Sequence, residues 1–308
     1  MNRGADMGNT EHDFAMERRL QKLDPVLHRN FTNAVFAIQY NLSNYKLIFP
    51  AFTDHTMLHS LSVIDFTNQL IGDQIDKLNA DEIYSLLMGC YFHDTGMGIT
   101  LKDFERFCSN IEFGNYFETH DRNDYPRIIR DFHHEFSGLF IRRYAGLFEY
   151  PSEEHMQALI QISRGHRRTD LYDETAYPSA MKVPGGNTVC LPYLAALIRL
   201  ADEIDVAAAR NPILLYDIEA VTEEHSILEN KKLKAVRYLD ITPEQFILRL
   251  DTSELTQIGP ISVSKLISEL KKVVEKMQWT LDYCREVVEK RTPFRITQKE
   301  VVMDPDPS

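Results

Sequence analysis

Histidine and aspartate residues of the kind that bind transition metals recur along the chain, and the dipeptide His93-Asp94 lies at their centre. It follows an apolar segment of helical character and precedes Gly96 and Gly98. Neighbouring side chains on a helix point about 100° apart, so this pair can converge on one ion only where the backbone turns, which the glycines permit. A His-Asp dipeptide is common by chance, and it gains meaning only from the residues that accompany it.

Further histidines and carboxylates stand in short motifs before and after this dipeptide. His55 and His59 are four residues apart, one helical turn, and so share a helix face. Downstream, FHHEFSG contains His133 and His134, SRGHRR contains His166, and LIRLADEID contains Asp202 and Asp205. Imidazoles and carboxylates on rigid helices suit Mn, Fe, Zn or Ni, and no thiolate lies in these motifs.

The order H…HD…H…H…D resembles the HD-domain metal-dependent phosphohydrolase superfamily. HSLSV resembles the helix that carries the first ligand of that family, YFHDTG resembles its signature, and LADEID its closing aspartate motif. The resemblance covers about residues 50–212. It implies a helical bundle in which one ion is held by His59, His93, Asp94 and Asp202.

The resemblance also extends to members that hold two ions, including some cyclic-dinucleotide phosphodiesterases, whose extra histidines correspond to His133 and His166. In HHEFSG the family spacing favours His133 over His134, because Ser137 fits the small residue four positions on, but both stay open. Met97 stands where the family often has a lysine, and no GYP-like motif follows His166. The HD-GYP subgroup is therefore not supported.

This family chemistry implies hydrolysis by a water activated on one divalent ion or on a bridged pair. Such an ion lowers the pKa of bound water from 15.7 to about 7. Asp94 would bridge the ions and hold the nucleophile, while His55 or His134 would protonate the leaving group. The candidates for phosphate binding are Arg164, Arg167, Arg168 and Arg210. Alternatively, these arginines belong to a solvated helix end or form salt bridges to Asp170 and Asp173.

The elements that must position these residues are mainly helical, with a small C-terminal α+β addition. Residues 1–12 are polar and predict a disordered lead-in, residues 13–212 a helical core with the metal site, and residues 213–308 an α+β region. In that region KAVRYLDIT and QFILRLDT alternate as strands do, a long amphipathic helix covers about Ser262–Lys290, and FRITQKEVVM resembles another strand.

Local signals predict several element boundaries inside the core. Pro25 suits the first turn of a second helix within the periodic stretch 14–44. Asp54 can cap the helix that carries His59, and Asn79 or Asp81 can begin the next helix. Residues 99–131 and 167–189 have no clean period, which predicts connecting segments that form walls of the substrate pocket.

Composition narrows the classes of partner. The 308 residues carry a net charge of −12, which argues against general nucleic-acid binding because such binding needs a dominant basic surface. No apolar run approaches the roughly 18 residues of a membrane span. The four cysteines are dispersed and in no CxxC arrangement, which favours reduced thiols in a cytoplasmic protein.

Together these patterns predict a phosphohydrolase or phosphodiesterase that acts on a small nucleotide, such as a cyclic dinucleotide, a dNTP or a dinucleoside polyphosphate. One alternative is a metal-dependent nuclease on single-stranded nucleic acid. Another is a weakly catalytic nucleotide sensor or interaction module, for which the C-terminal region would offer a contact for a homodimer or a partner protein.

Overall fold

The predicted mainly α fold with small sheets is confirmed by a computed structural model, which describes residues 15–49, 57–206 and 224–305. The helices of this part of the chain are α1 (Ala15–Leu23), α2 (Pro25–Ile48), α3 (Met57–Ile71), α4 (Ala80–Phe92), α5 (Leu101–Cys108), α6 (Tyr125–Arg143), α7 (Ala145–Phe148), α8 (Glu153–Gly165), α9 (Leu191–Ile204), α10 (Glu224–Ala235) and α11 (Val263–Arg291). The strands are β1 (Met181–Lys182), β2 (Thr188–Val189), β3 (Val236–Ile241), β4 (Gln245–Leu250) and β5 (Glu300–Asp304).

Side-chain caps account for where the helices begin. Asp24 accepts hydrogen bonds from the backbone N–H groups of Val26 and Leu27 and so starts α2 at Pro25, as predicted. Of the two predicted starts of α4, Asn79 is the cap, and it forms a capping box with Glu82. The predicted lead-in, residues 1–12, and the predicted cap Asp54 lie outside the described residues.

The core surrounds α4, which is buried almost along its full length. Gly89 allows α8 and α9 to approach it closely, because a Cβ at this position would collide with side-chain atoms of Ile162 and Ile198. Helices α3, α8 and α9 therefore pack directly around α4. This arrangement brings the ends of several helices together at one place, and the site lies there.

The C-terminal region adds a three-stranded sheet and the long helix α11. The two runs predicted as strands are β3 and β4, and they pair antiparallel; β5 pairs parallel with β4 after the crossover through α11. The last strand is shorter than the predicted run, since only Glu300–Asp304 is extended in the sheet. The boundary predicted between residues 212 and 213 falls outside the described residues.

α11 packs along α9, and fully buried side chains of this helix, such as Leu281 and Cys284, belong to the same hydrophobic core. Burial of that apolar face stabilises the contact between the C-terminal region and the helices of the site. In the part of the chain that the structure describes, no helix is both long and apolar enough to cross a membrane.

Candidate metal centre

The structure brings all six predicted ligands together in two adjoining groups that share one aspartate. The first group consists of His59, His93, Asp94 and Asp202, and the second of Asp94, His133 and His166. Within each group the ligand atoms lie within 4.8 Å of one another. The residues come from α3, α6 and α9 and from the C-terminal ends of α4 and α8, so distant segments converge on one place.

A repeated hydrogen bond orients three of the histidines. His93 Nδ1 lies 3.0 Å from the carbonyl oxygen of Cys90, and His133 Nδ1 lies 2.6 Å from that of Arg130. His166 Nδ1 makes the same contact with the carbonyl of Ser163. In each case the acceptor is three residues earlier. A carbonyl can only accept, so each Nδ1 carries the proton and each Nε2 presents a lone pair to the site.

The helix geometry explains why this contact recurs. His93 and His166 are the C-cap residues of α4 and α8, where backbone carbonyls of the last turn lack partners within the helix. His133 follows a break inside α6, where Phe132 has φ −118° and ψ 15°. The backbone carbonyls left without helical partners at the two helix ends and at the break in α6 thus fix the tautomers of these three imidazoles.

His59 is oriented differently, by a carboxylate. Its Nδ1 lies 2.6 Å from Oδ2 of Asp205, which is 3% exposed. A carboxylate behind a ligating imidazole fixes its tautomer and raises its basicity, an arrangement common around protein metal sites. The sequence motif LADEID contained Asp205, but spacing alone gave it no role.

The unprotonated Nε2 atoms face one another, and this arrangement fits a cation. His59 Nε2 lies 3.1 Å from His93 Nε2, and His133 Nε2 lies 2.8 Å from His166 Nε2. Burial, the largest cause, lowers the pKa of His93 and of His133 and lowers that of His166 well below its usual value. With the Nδ1 protons committed elsewhere, facing lone pairs repel one another unless a positive charge compensates them. Arg167 Nε donates to His133 Nε2 at 3.3 Å, and a metal ion would compensate the lone pairs of both groups.

The spacing in the first group also fits coordination. His59 Nε2 is 3.4 Å from Asp94 Oδ2 and 3.3 Å from Asp202 Oδ1, and His93 Nε2 is 3.5 Å from Asp94 Oδ2. Ligands about 2.1 Å from a tetrahedral ion lie about 3.4 Å apart. Burial tends to raise the pKa of Asp202, but His59 and Arg167 outweigh it and keep that pKa well below its usual value.

Asp94 links the two groups through its two carboxylate oxygens. Oδ2 faces His59 and His93, whereas Oδ1 lies 3.4 Å from His133 Nε2 and 3.6 Å from His166 Nε2. The second group supplies three protein ligand atoms, against four in the first. A site with three protein ligands leaves a coordination position for water or substrate.

The backbone turns at the dipeptide, as its chemistry requires. Asp94 has φ −101° and ψ 9°, between α4 and a short 3₁₀ segment, Thr95–Gly98. The glycines are needed for a reason other than the predicted one, since neither has a positive φ. A Cβ at Gly96 would collide with the backbone of His133, and one at Gly98 with the carbonyl of Asn41.

Ser137 fastens this turn to α6. Its hydroxyl donates to the carbonyl of His93 at 2.6 Å and accepts from the backbone N–H of Gly96 at 2.8 Å. The predicted small residue four positions after His133 therefore has a structural role: it sets the distance between the dipeptide and the second group.

The three predicted catalytic residues have different positions. Asp94 is central, and His55 lies outside the described residues. His134 is buried beside His133 but does not belong to either group, and its Nδ1 has no hydrogen-bond partner within the described residues. Burial, followed by His133 and the nearby arginines, lowers the pKa of His134 to about 2. A neutral imidazole is a weak acid, which argues against its role as proton donor.

The four arginines predicted to bind phosphate also differ in their positions and partners. Arg164 donates to Glu135 at 2.8 Å. It therefore forms a salt bridge, as the alternative interpretation expected, but with a partner that the sequence did not indicate. Arg167 Nε lies 3.3 Å from His133 Nε2, at the edge of the second group. Arg168 is exposed and makes no ion pair within the described residues. Arg210 lies outside the described residues.

A cavity of about 900 Å³ opens beside the second group. Its wall includes both histidines of that group, basic and acidic side chains, and two aromatic rings of α11. The lining residues are Arg130, Asp131, His133, His166, Arg167, Arg168, Thr169, Asp170, Arg199, Glu203, Glu229, Lys276, Trp279, Thr280 and Tyr283. The irregular segments predicted as walls contribute only residues near their ends, whereas α11 was not predicted to take part.

Searches among curated proteins and among solved structures gave no match. A family model, HD-CE, matches residues 49–284, which is well over half of the 308-residue chain. The matched range includes both ligand groups and continues through most of α11, a helix that lines the cavity. The chain therefore belongs to the HD-CE family, a family of HD-type domains.

Proposed function

We propose that this protein is a metal-dependent phosphohydrolase whose site holds two divalent ions bridged by Asp94 and acts on a small phosphorylated nucleotide. The observation that carries the proposal is the division of the Asp94 carboxylate, with one oxygen in each histidine group. A carboxylate that offers one oxygen to each of two sets of ligands suits a pair of neighbouring ions. The bond hydrolysed would be a phosphoester or a phosphoanhydride of this nucleotide.

The donor set supports Mn, Fe, Zn or Ni. All ligand atoms are imidazole nitrogens or carboxylate oxygens, a combination suited to these ions and less to Mg or Ca, which prefer oxygen alone. His59, His93, Asp94 and Asp202 would hold the first ion, and Asp94, His133 and His166 the second. Bound ions supply an activated water and compensate negative charge on the phosphoryl group.

The protein's own residues orient the substrate. Arg167 reaches the edge of the second group and also lines the cavity, so its guanidinium can bind the phosphate next to the ions. Arg168 extends the basic surface along the same wall. Arg164 is engaged by Glu135 and is expected to position the end of α8 instead of contacting substrate.

The pKa of His134 is about 2, so its imidazole is neutral near pH 7 and is a poor proton donor. A different residue would therefore protonate the leaving group. His55, one turn before His59 in the sequence, stays the predicted acid. The nuclease alternative is not favoured, because the net charge of −12 argues against a dominant basic surface.

Metal analysis combined with a nucleotide screen tests the proposal. We expect purified protein to contain divalent transition metal, to release phosphate or mononucleotide from part of the panel, and to lose this activity on chelation and regain it on metal return. His28→Gln is the matched control, because His28 pairs with Glu17 on the N-terminal helices and belongs to neither ligand group. Hydrolysis by metal-free wild-type protein would contradict the mechanism.

The same screen separates hydrolase from sensor. A sensor would bind nucleotide with metal present but release no product, whereas a hydrolase turns over with both ligand groups intact. Loss of turnover in His133→Ala, with nucleotide binding retained, would identify the second group as the catalytic part.

A further inference from the structure

The cavity beside the candidate metal centre also has an aromatic wall. Trp279 and Tyr283, one turn apart on α11, stack with ring centroids 5.7 Å apart and planes 8° from parallel. Both line the same cavity as His133 and His166. Trp279 is 65% exposed although it is the largest apolar side chain of the protein and its only tryptophan. Such exposure in a cavity, next to charged residues, indicates a surface for a ligand.

Tyr283 is held in place from several directions. Its hydroxyl accepts from the backbone N–H of Leu171 at 2.7 Å and lies 3.2 Å from a carboxylate oxygen of Asp170. The guanidinium of Arg199 lies 5.0 Å from the ring centroid, and the ring of Tyr172 packs edge-on at 5.9 Å. Tyr283 therefore forms a fixed support on which Trp279 can keep its ring orientation without being buried.

The cationic side chains of the cavity differ in how they are engaged. Arg199 is committed to the carbonyls of Gly165 and Thr169, and Lys276 to Glu203 at 2.8 Å. Arg167, whose Nε donates to His133, and Arg168, which makes no ion pair within the described residues, follow His166 directly in the chain. These two arginines are therefore the cations next to the second ligand group that can bind an anion, while α11 presents flat aromatic surface in the same cavity.

We propose that Trp279, supported by Tyr283, is the stacking platform for the base of a nucleotide whose phosphates lie against Arg167, Arg168 and the metal centre. This inference rests on the proposed function and names its substrate class more closely. Every nucleobase has a π-face, so stacking tolerates different bases. The platform therefore discriminates nucleotides from base-free phosphates more strongly than one base from another.

The single tryptophan makes direct observation possible, since all indole fluorescence arises from Trp279. ATP, GTP and CTP are titrated into the metal-loaded protein and into metal-stripped protein, with inorganic tripolyphosphate as the base-free match. We expect each nucleotide to change the fluorescence saturably. Tripolyphosphate should compete for the cavity without producing the stacking change.

Substitution tests the energetic contribution. Stacking on an aromatic side chain contributes about 1–3 kcal/mol per base, which corresponds to about 5- to 150-fold in affinity. We expect Trp279→Ala to weaken nucleotide binding by a factor in that range, measured by calorimetry, and to leave tripolyphosphate binding within about twofold. Trp279→Phe should retain most of the nucleotide affinity. Phe36→Ala is the matched control, because Phe36 is 67% exposed on α2, away from the cavity.

The outcomes separate this inference from the proposed function. If Trp279→Ala binds and hydrolyses nucleotides as wild type does, the platform is wrong and the hydrolase stands. If nucleotides bind by calorimetry without any change in Trp279 fluorescence, the platform is again wrong. If no nucleotide binds or is hydrolysed with metal present, both proposals are wrong.

Discussion

Two parts of the site are built in contrasting ways: the metal end, where the two ligand groups lie, and the aromatic end, formed by Trp279 and Tyr283. At the metal end, buried histidines from several helices are fixed by hydrogen bonds to backbone carbonyls and to Asp205. At the aromatic end, Trp279 of α11 presents an exposed ring supported by Tyr283. The fixed geometry of the metal end suits the binding of ions, whereas the aromatic end suits a flat group held with some freedom.

This contrast predicts that substitutions at the metal end act on metal binding and turnover, whereas those at the aromatic end act on affinity for the nucleotide. The Trp279 variants test the expected effect on nucleotide affinity. The following variants test the expected effects on metal binding, turnover and stability, from the largest to the smallest.

Asp94→Ala should lower kcat/KM by about 10³-fold or more, because it removes a ligand from both groups at once. Turnover of an active nucleotide, measured at saturating metal, checks this. Asp94→Asn keeps the volume and removes the charge, and it should be similarly inactive. Full activity in either variant would remove Asp94 from the centre of the site.

Gly96→Ala should destabilise the fold by about 3 kcal/mol, because its Cβ would collide with the backbone of His133 and push α6 from the turn at the dipeptide. Chemical denaturation measures the change in the free energy of unfolding. Gly146→Ala is the control, since a Cβ there meets no atom within 4 Å and should change stability little. Equal stability of the two variants would mean that the close approach at Gly96 is wrong.

Asp205→Asn should weaken metal affinity by about 10- to 100-fold while the ligands themselves stay intact, since it removes the carboxylate behind His59. Competition with a chelator of known affinity measures this effect. Asp205 contacts His59 of the first group and does not line the cavity, so the affinity of the protein for nucleotide should change far less. Unchanged metal affinity would reduce Asp205 to a packing role.

Asp24→Ala should cost about 1 kcal/mol of stability and leave metal content and activity unchanged, because Asp24 caps α2 and lies in neither wall. Thermal unfolding together with metal analysis checks both parts. Loss of metal in this variant would show that the site responds to stability in general, and would weaken every conclusion drawn from the other variants.

The sequence could predict which histidines and aspartates come together, because the chemistry of metal binding limits candidate ligands to few residue types and the motifs place them at recognisable positions on helices. Local signals predicted other elements. The start of α2 at Pro25 followed from the residues that favour a first helical turn, and the strands β3 and β4 followed from the alternation of their residues. The spacing also favoured His133 over His134, and the structure brings His133 into the second group.

Other features depend on tertiary packing and could not be predicted in this way. Asp205 faces His59 across 146 positions of the chain, and no spacing rule connects them. Gly96 and Gly98 were expected to permit the backbone turn after the dipeptide, whereas the structure requires them because this segment passes close to the backbone of His133 and of Asn41. α11 was assigned to the C-terminal addition because it follows two strand-like runs, but its buried face packs on α9 and some of its side chains line the cavity.

The number of ions per chain tests the central claim most directly. Elemental analysis of folded protein should give about two divalent ions in the wild type and about one in His133→Ala and in His166→Ala, because the second group loses a ligand while the first keeps all four. Phosphate release measured on the same samples should fall with the second ion. One ion in the wild type, unchanged in both histidine variants, would contradict a bridged pair at Asp94.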